Sequence, residues 1–342
     1  MSASAPVRDQ SAAFALLDLI QGSVITQALY AAAQLGIADI LSDGALSPGD
    51  IATKVSADPE AIYRVLRMLS GYGVFAERGD GRYELTPMAD ALRADAPDSM
   101  RGIALLMGHP MFWEDWGHLL ESVRTGEASL PGHRGMSAYE YLGSNPEFAG
   151  TFFQGMGSMS APETDTVIAA HDFSARKTII DVGGGRGGLL AGILNRASGS
   201  RGVLYDAPHN SVGADAVLEA AGVADRASIE HGSYFETVPA GGDAYILKHT
   251  LHDFSEAQIL AVLKNIRDAI KPDGAVYVIE YVLPGQNNRH IGNIIDLWLM
   301  MLLGAKERTA DQYAELLAGA GFKLSKVIPT TSPVSIIEAL PA

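Results

Sequence analysis

The chain has no cysteine among its 342 residues. It can therefore form no disulfide bond, and it offers neither a thiolate metal ligand nor a thiol nucleophile. This composition fits a reducing compartment, and we expect a cytoplasmic protein. Residues 1–10 also lack a basic start followed by an apolar core, so we expect no signal peptide.

Basic residues are scarce. The chain has 25 Lys and Arg against 40 Asp and Glu, for a formal net charge of −15. Such a surface should repel nucleic acid and anionic membranes, and it suits a protein that acts on a small molecule. Because no uncharged apolar run reaches about 18 residues, we expect no membrane span and no membrane partner.

The length of the chain favours two domains, and the hydrophobic pattern changes near residue 176. Residues 9–175 read mainly as helices. Ser47-Pro48 and Asp58-Pro59 are typical helix starts, because a capping side chain precedes a proline. Strand-forming residues around Gly79-Asp80-Gly81 predict a hairpin. Two helices and a hairpin together indicate a winged helix-turn-helix.

From residue 176 strands alternate with helices, which predicts a parallel, doubly wound α/β sheet. The last two strands are separated by about five residues, too few for a crossover helix. They should therefore pair antiparallel or lie apart. The predicted strands are 178–182, 202–206, 227–231, 243–248, 274–283, 322–328 and 334–339, and a helix is predicted over 256–270.

The most informative segment follows the first of these strands. Gly183, Gly185 and Gly188 satisfy G-x-G-x-x-G, a pattern that fits a dinucleotide or S-adenosylmethionine. Asp181 precedes the glycines, where it would repel a pyrophosphate and favour a cationic sulfonium. Asp206 ends the next strand, where a ribose-binding acid is expected for either cofactor. The charge of Asp181 therefore favours S-adenosylmethionine over NAD.

Six segments in order resemble the motifs of the class I S-adenosylmethionine-dependent O-methyltransferases, in particular the caffeate, hydroxyindole and phenazine type. The resemblance covers nearly the whole chain, because the winged-helix region is similar to that family's dimerisation domain. The segments are DVGGGRG (181–187), YDAP (205–208), GSYF (232–235), KHTLHDF (248–254), IEY (279–281) and KERT (306–309).

The resemblance implies a Rossmann-like methyltransferase sheet with a C-terminal antiparallel strand, and a mainly helical winged-helix domain before it. It places a dimerisation domain at 1–105, a helical connector that contributes to the substrate pocket at 106–175, and the cofactor-binding catalytic domain at 176–342. It also implies a homodimer formed through the N-terminal helices.

The resemblance assigns a binding site for S-adenosylmethionine, with S-adenosylhomocysteine as product. Asp206 would accept from the ribose hydroxyls, and Lys248 would lie beside the cofactor. Ser233 departs from the family, which has an acid near the adenine, and Tyr234 is expected to compensate. The implied cofactor-binding residues are Asp181, Gly183, Gly185, Asp206, Ser233, Tyr234 and Lys248.

The same resemblance assigns His252 as the general base, held by Glu280 and Glu307. His249 is a rival base. Two carboxylates around one histidine indicate a base held by acids, and we expect no metal.

The substrate is expected to be a small aromatic molecule with a hydroxyl group, held by apolar side chains and by Asp296. N-methylation of a heteroaromatic stays open. The predicted substrate residues are Trp113, Trp116, Phe153, Met156, Asp296 and Met300.

Three other functions stay open. A winged helix occurs in transcription regulators, but acidic residues slightly outnumber basic ones between positions 45 and 87, which disfavours DNA binding. The glycine pattern also permits a nicotinamide-dependent oxidoreductase. A methyltransferase fold that has lost its transfer activity is the third.

Overall fold

The computed structural model describes residues 10–342, which contacts between residues divide into two compact units. The first unit runs up to Trp116 and includes Leu142–Met159; the second comprises Gly117–Tyr141 and Ser160–Ala342. Most of the segment on which the signal-peptide expectation rests, residues 1–9, lies outside the described residues. The domain boundaries stay a prediction.

The first unit is mainly helical, with one two-stranded antiparallel hairpin. Its helices are α1 Gln10–Ile20, α2 Gly22–Gln34, α3 Ile37–Leu41, α4 Pro48–Val55, α5 Pro59–Gly71, α6 Pro87–Asp90, α7 Arg101–Gly108 and α8 Pro110–Trp116, and its strands are β1 Phe75–Glu77 and β2 Tyr83–Leu85.

The winged-helix prediction is confirmed in α4, α5 and the hairpin. The Ser47 hydroxyl accepts from the Asp50 N–H at 3.2 Å, and the Asp50 carboxylate accepts from the Ser47 N–H at 3.3 Å. This reciprocal pair begins α4. The Asp58 carboxylate caps α5 by accepting from the Ala61 N–H at 2.8 Å. Both helices start at the proline, as the sequence predicts.

Four helices connect the winged helix to the sheet: α9 Leu119–Thr125, α10 Ser129–Arg134, α11 Ala138–Ser144 and α12 Pro146–Ala170. The last of them has 25 residues. It begins in the first unit and ends in the second, so its second half belongs with the sheet.

Within the described residues, the second unit has one seven-stranded sheet of order β5-β4-β3-β6-β7-β9-β8. Strands β3 to β7 pair parallel, whereas β9 lies antiparallel to both β7 and β8. The predicted fold class is therefore confirmed. The strands are β3 Thr178–Val182, β4 Arg201–Asp206, β5 Ala227–His231, β6 Ala244–Lys248, β7 Ala275–Glu280, β8 Phe322–Pro329 and β9 Ser335–Pro341.

One predicted strand is too long. The sequence predicts a strand over 274–283, but β7 ends at Glu280. There the backbone turns, and the Val282 N–H donates to the Glu280 carbonyl at 3.0 Å. An apolar run continues past the turn, and sequence pattern does not separate the two conformations.

The sheet places functional side chains at one edge. The helices around it are α13 Gly188–Arg196, α14 Ala214–Ala220, α15 Glu256–Ala269, α16 Gly292–Leu303 and α17 Ala310–Gly319, with a short 3-10 helix at Leu251–Asp253. Parallel strands end at the same edge of a sheet. Asp181, Asp206, Lys248 and Glu280 all lie at or next to the carboxyl ends of their strands.

Candidate active site

The glycine loop after β3 folds closely over Asp181. Gly183, Gly185 and Gly187 have φ values of 71°, 56° and 79°, which favour glycine. Gly184 needs its small size for a different reason. A Cβ atom there would lie 2.5 Å from the Asp181 carboxyl carbon, closer than non-bonded carbons approach. The carboxyl group of Asp181 therefore lies directly under the loop.

Asp181 is 1% exposed, and its Oδ2 atom has no hydrogen-bond partner among residues 10–342. Burial, and next the negative charge of Asp206, raise its pKa to about 7. A buried acid with an unpartnered oxygen is costly to ionise. A cationic ligand next to the loop would relieve that cost, so the site fits a sulfonium-bearing cofactor.

Asp206 also contacts the glycine loop. Its Oδ2 accepts from the Gly185 N–H at 2.9 Å, while its Oδ1 accepts from the Ala207 N–H at 2.7 Å and from the Asn210 side chain at 2.9 Å. The sequence analysis missed Asn210. These contacts orient the carboxylate that we predict to bind a ribose, and they join it to the loop above Asp181.

Ser233 and Tyr234 follow β5. The Ser233 carbonyl accepts from the N–H groups of Glu236 and Thr237, which begins a turn. Burial raises the pKa of Tyr234 to about 12, with further contributions from Asp206 and Asp253. Tyr234 is therefore a neutral hydrogen-bonding group. The adenine contact of Ser233 and Tyr234 stays a prediction.

Lys248 is buried at the end of β6. Its Nζ lies 2.8 Å from Glu163 Oε2 and donates to the Ser160 carbonyl at 3.1 Å. Its side chain is 9% exposed, so it is not a solvent-facing lysine. Both partners are on α12, which therefore holds the ammonium in place.

Glu163 is a second residue that the sequence did not reveal. Its Oε1 accepts from the Tyr281 hydroxyl at 2.7 Å, and its Oε2 lies 2.7 Å from His249 Nε2. Burial raises its pKa, but His249 and Lys248 lower it more, to about 2. No motif in the sequence connects α12 with the segment 248–254, so only the folded chain shows this contact.

His252 lies in the 3-10 helix and is 8% exposed. Its Nδ1 is 2.7 Å from Glu307 Oε1 and 3.2 Å from Glu280 Oε2, and its Nε2 is 3.5 Å from Asp253 Oδ1. Burial lowers the pKa of the imidazole, but the nearby carboxylates raise it more, to about 10. The predicted grouping of His252 with Glu280 and Glu307 is present.

The two carboxylates differ in their surroundings. Glu280 Oε1 accepts from the N–H groups of Thr250 and Leu251 at 3.0 and 3.1 Å, which orients the 3-10 helix. Burial raises the pKa of Glu280, but His252 and His249 lower it below its ordinary value. Burial raises the pKa of Glu307 above its ordinary value despite His252. The two shifts differ in direction because Glu280 accepts from two backbone N–H groups and faces both histidines, whereas burial dominates at Glu307.

Asp296 lies on α16 and holds the backbone of Glu307. Its Oδ1 accepts from the Glu307 N–H at 2.8 Å. Burial raises the pKa of Asp296. The contact with a substrate hydroxyl stays a prediction, and the structure assigns this carboxyl group a part in orienting Glu307.

The other predicted substrate residues are divided between the two units. Trp113 and Trp116 lie on α8, and Phe153 and Met156 lie in the part of α12 that belongs to the first unit. Met300 is on α16 in the second unit, with the catalytic candidates. Phe153 is 60% exposed. The substrate role of these side chains stays a prediction.

His249 has an unusual conformation and two acidic neighbours. Its φ is 49°, in the left-handed region. Its Nε2 lies 2.7 Å from Glu163 and its Nδ1 lies 3.4 Å from Glu280 Oε2. Both ring nitrogens therefore face carboxylates. One ligand atom each from His249, His252 and Glu280 lies within 4.8 Å of the others, a spacing that the sequence did not anticipate.

Two family models match the chain: an O-methyltransferase domain over residues 116–323 and an O-methyltransferase dimerisation domain over residues 17–95. A phenazine O-methyltransferase of Lysobacter antibioticus is 40% identical over 326 residues, which are 95% of each chain. An 8-amino-8-demethylriboflavin N,N-dimethyltransferase of Streptomyces davaonensis is 32% identical over 314 residues, 91% of this chain and 90% of that protein.

A solved structure supports the same relationship. The methyltransferase CalO1 of calicheamicin biosynthesis, in an SAH-bound form, is 33% identical with a TM-score of 0.88, over 98% of this chain and all of that chain. These similarities favour neither the oxidoreductase nor the transcription regulator. With a family model matching more than half its length, the chain belongs to the S-adenosylmethionine-dependent O-methyltransferase family and carries that family's dimerisation domain.

Proposed function

We propose that this enzyme methylates a hydroxyl group of a small aromatic secondary metabolite, with S-adenosylmethionine as methyl donor and His252 as general base. The observation that carries the proposal is the orientation of His252. Its Nδ1 is held by Glu307 at 2.7 Å, which leaves Nε2 as the nitrogen that can receive a proton from the substrate. His249 has a similar arrangement, with Nε2 2.7 Å from Glu163 and Nδ1 3.4 Å from Glu280 Oε2, so the resemblance of the segment 248–254 to the family motif is what favours His252 over His249.

The surroundings of His252 match its basicity to a phenol. A phenol has a pKa near ~10 and an ordinary histidine near ~6.5, so the proton transfer is uphill by about 5 kcal/mol in water. Within the protein the carboxylates raise the pKa of His252 to about 10. The raised pKa reduces the difference that opposes proton transfer, and it also keeps most of the ring protonated near pH 7, so His252 acts as a base from its deprotonated form. Glu280 and Glu307 stabilise the imidazolium that results.

The cofactor would be held at the strand ends. Asp181, under the glycine loop, would offset the positive charge of the donor, and Asp206 would accept from hydroxyl groups. S-adenosylmethionine supplies an electrophilic methyl group when bound. The chain's own part is to bind the acceptor oxygen in line and to remove its proton. The unpartnered Oδ2 of Asp181 and the close approach at Gly184 support this placement.

We also propose that the reaction needs no metal ion. His249, His252 and Glu280 are close enough to contact one ion. However, His252 Nδ1 already pairs with Glu307 and His249 Nε2 with Glu163, both at 2.7 Å. Ion pairs of this length satisfy one nitrogen of each ring through a proton rather than a metal ion. Methyl transfer at the wild-type rate after exhaustive chelation, with metal content checked by mass spectrometry, would support this proposal.

A homodimer is part of the proposal. The first unit exposes apolar side chains on α1, including Phe14 at 65%, Leu19 at 79% and Ile20 at 64%. Exposed apolar surface of this kind marks an interaction site, and the dimerisation domain model covers residues 17–95. The stretch Ser11–Gln34 is also long and apolar enough to cross a membrane by length and composition alone. A second copy is the partner that the family model supports.

The test of the function is a methyl-transfer assay. The purified enzyme is incubated with S-adenosylmethionine labelled with deuterium in its methyl group and a panel of phenols, hydroxyphenazines, hydroxynaphthoates and aromatic amines. We expect a labelled methyl group on oxygen in at least one phenolic product, located by NMR. Transfer to nitrogen alone would contradict O-methylation; such an outcome is the second candidate, because one relative is named an N,N-dimethyltransferase.

A further inference from the structure

Glu163 forms a second histidine–carboxylate pair beside the proposed base. It is 3% exposed, and within the second unit it contacts Lys248, His249 and Tyr281 at 2.7–2.8 Å. The pair His249–Glu163 meets the pair His252–Glu307 at one atom, Glu280 Oε2. This oxygen is 3.4 Å from His249 Nδ1 and 3.2 Å from His252 Nδ1, and the two imidazole rings are 5.4 Å apart between centroids.

The protonation of His249 follows from its two contacts. Glu163 is ionised, so Nε2 of His249 must carry a hydrogen to make a 2.7 Å contact with it. A neutral ring would then turn the lone pair of Nδ1 toward the Glu280 carboxylate, which is repulsive. A second hydrogen on Nδ1 makes the same contact attractive. The two contacts therefore favour a cationic His249, and burial is outweighed by Glu163 and Glu280, which raise its pKa.

We propose that Glu163 is a positioning residue that holds His249 as a cation against Glu280, and that this cation limits the basicity of His252. Glu280 Oε2 lies between the two imidazole rings and faces Nδ1 of each. A positive charge 5.4 Å away opposes protonation of His252. Without the positive charge on His249, Glu280 would interact with His252 alone. His252 would then hold its proton too firmly to be regenerated between turnovers.

Other charged and titratable groups surround the two histidines, and they are the same in the wild type and in the charge-removing variants described below. Lys248 ends β6, Tyr281 follows β7, and Asp253 lies beside His252. Tyr139 of α11 donates to Asp253 at 2.9 Å, and Tyr313 of α17 lies near Glu280 and Glu307 with Arg308 next to it. Among the described hydrogen bonds and ion pairs, none of these groups contacts both imidazole rings. Glu163 is therefore the carboxylate that pairs with His249, as Glu307 pairs with His252.

The catalytic meaning of this inference rests on the proposed function, but the measurement that tests it is independent of that function. The pKa of His252 is measured by NMR titration of the imidazole resonances in the ligand-free protein, for wild type and for Glu163→Gln. Gln keeps the shape and removes the charge that favours a cationic His249. We expect the pKa of His252 to rise by about one unit, since the lost cation is 5.4 Å from His252 between ring centroids, whereas the lost carboxylate contacts His249.

Two further variants complete the experiment. His249→Asn removes the cation directly, and asparagine tolerates the left-handed backbone at this position. It should raise the pKa of His252 at least as much as Glu163→Gln. Tyr281→Phe is the matched control, because it removes one hydrogen bond from Glu163 and no charge. We expect its shift to be below about 0.3 units, although its melting temperature falls.

The outcomes separate the two proposals. An unchanged or lower pKa of His252 in Glu163→Gln overturns the positioning role, and if that variant does not fold, the same result in His249→Asn overturns it. A raised pKa in these variants together with full turnover of His252→Ala would leave the positioning role intact and contradict His252 as the base. In Glu163→Gln and His249→Asn, which keep His252, the alkaline shift relative to wild type should also appear in the pH profile of kcat.

Discussion

Glu307 Oε1 lies 2.7 Å from His252 Nδ1, although 55 residues separate the two along the chain. The contact needs two supports. Glu280 positions the 3-10 helix that carries His252 through the N–H groups of Thr250 and Leu251, and Asp296 holds the backbone of Glu307. The orientation of the proposed base is therefore set by three carboxyl groups from different parts of the second unit.

Replacing His252 should make kcat depend on how far the substrate hydroxyl is already ionised in solution. We expect His252→Ala to lower kcat by roughly 10²- to 10⁴-fold at pH 7, the usual contribution of a general base. The loss should shrink as the pH approaches 10, because a phenol then ionises without help. Steady-state kinetics between pH 6.5 and 10 check the prediction, and calorimetry with S-adenosylhomocysteine should show nearly unchanged affinity. A loss of equal size at every pH would contradict the assigned role.

The two carboxylates beside His252 should differ in their effect on stability. Glu280→Gln should destabilise the protein by about 3–5 kcal/mol, because the ionised group balances the buried imidazolium. Glu307→Gln should cost about 1 kcal/mol, because burial already raises the pKa of Glu307 and disfavours its ionised form. Urea unfolding of both variants tests this order. Equal destabilisation would show that the two groups share the charge.

Cofactor affinity should depend on the protonation of Asp181. Burial and Asp206 raise its pKa to about 7, so about half of the ligand-free molecules carry a neutral Asp181 at neutral pH. Only the ionised form attracts a cation, and affinity for S-adenosylmethionine should be about tenfold lower at pH 6 than at pH 8. Calorimetry in two buffers of different ionisation enthalpy should detect proton release on binding. Asp181→Asn should bind more weakly and lose the pH dependence.

Two glycines of the same loop give a matched pair. In Gly184→Ala the new Cβ would lie 2.5 Å from the carboxyl group of Asp181 and from Leu204 Cδ1. We expect a loss of about 1–3 kcal/mol in stability and weaker cofactor binding. A Cβ at Gly188 meets nothing within 4 Å, so Gly188→Ala should behave as wild type. Thermal unfolding with and without S-adenosylhomocysteine compares them, and equal effects would contradict the packing of the loop over Asp181.

Dimer formation should depend on α1. Leu19→Glu places a charge in the apolar surface and should give a monomer in light scattering after size-exclusion chromatography. Val212→Glu is the control, because Val212 is 71% exposed, comparable to Leu19 at 79%, but lies in the second unit. A wild-type monomer would contradict the dimer, and flotation of the wild type with anionic vesicles would assign the apolar stretch to a membrane instead.

The sequence by itself determined the elements and the chemistry at their ends. Apolar alternation placed most strands of the sheet to within two residues, and the capping residues Ser47 and Asp58 placed two helix starts. These signals are local, because backbone hydrogen bonds and side-chain caps involve neighbours in the chain. The motif order also brought His252, Glu280 and Glu307 into one expected group, which the fold confirms.

Only the tertiary structure decided how the charged groups are shared. Glu163 is on a helix with no recognisable motif, and it contacts Lys248 and His249 only because α12 packs beside the ends of β6 and β7. Asp296 is predicted to contact the substrate, and only the fold shows that it also holds the Glu307 N–H. The charge state of a buried group depends on the distance to every other charge around it, and that distance is a property of the folded chain rather than of residue order.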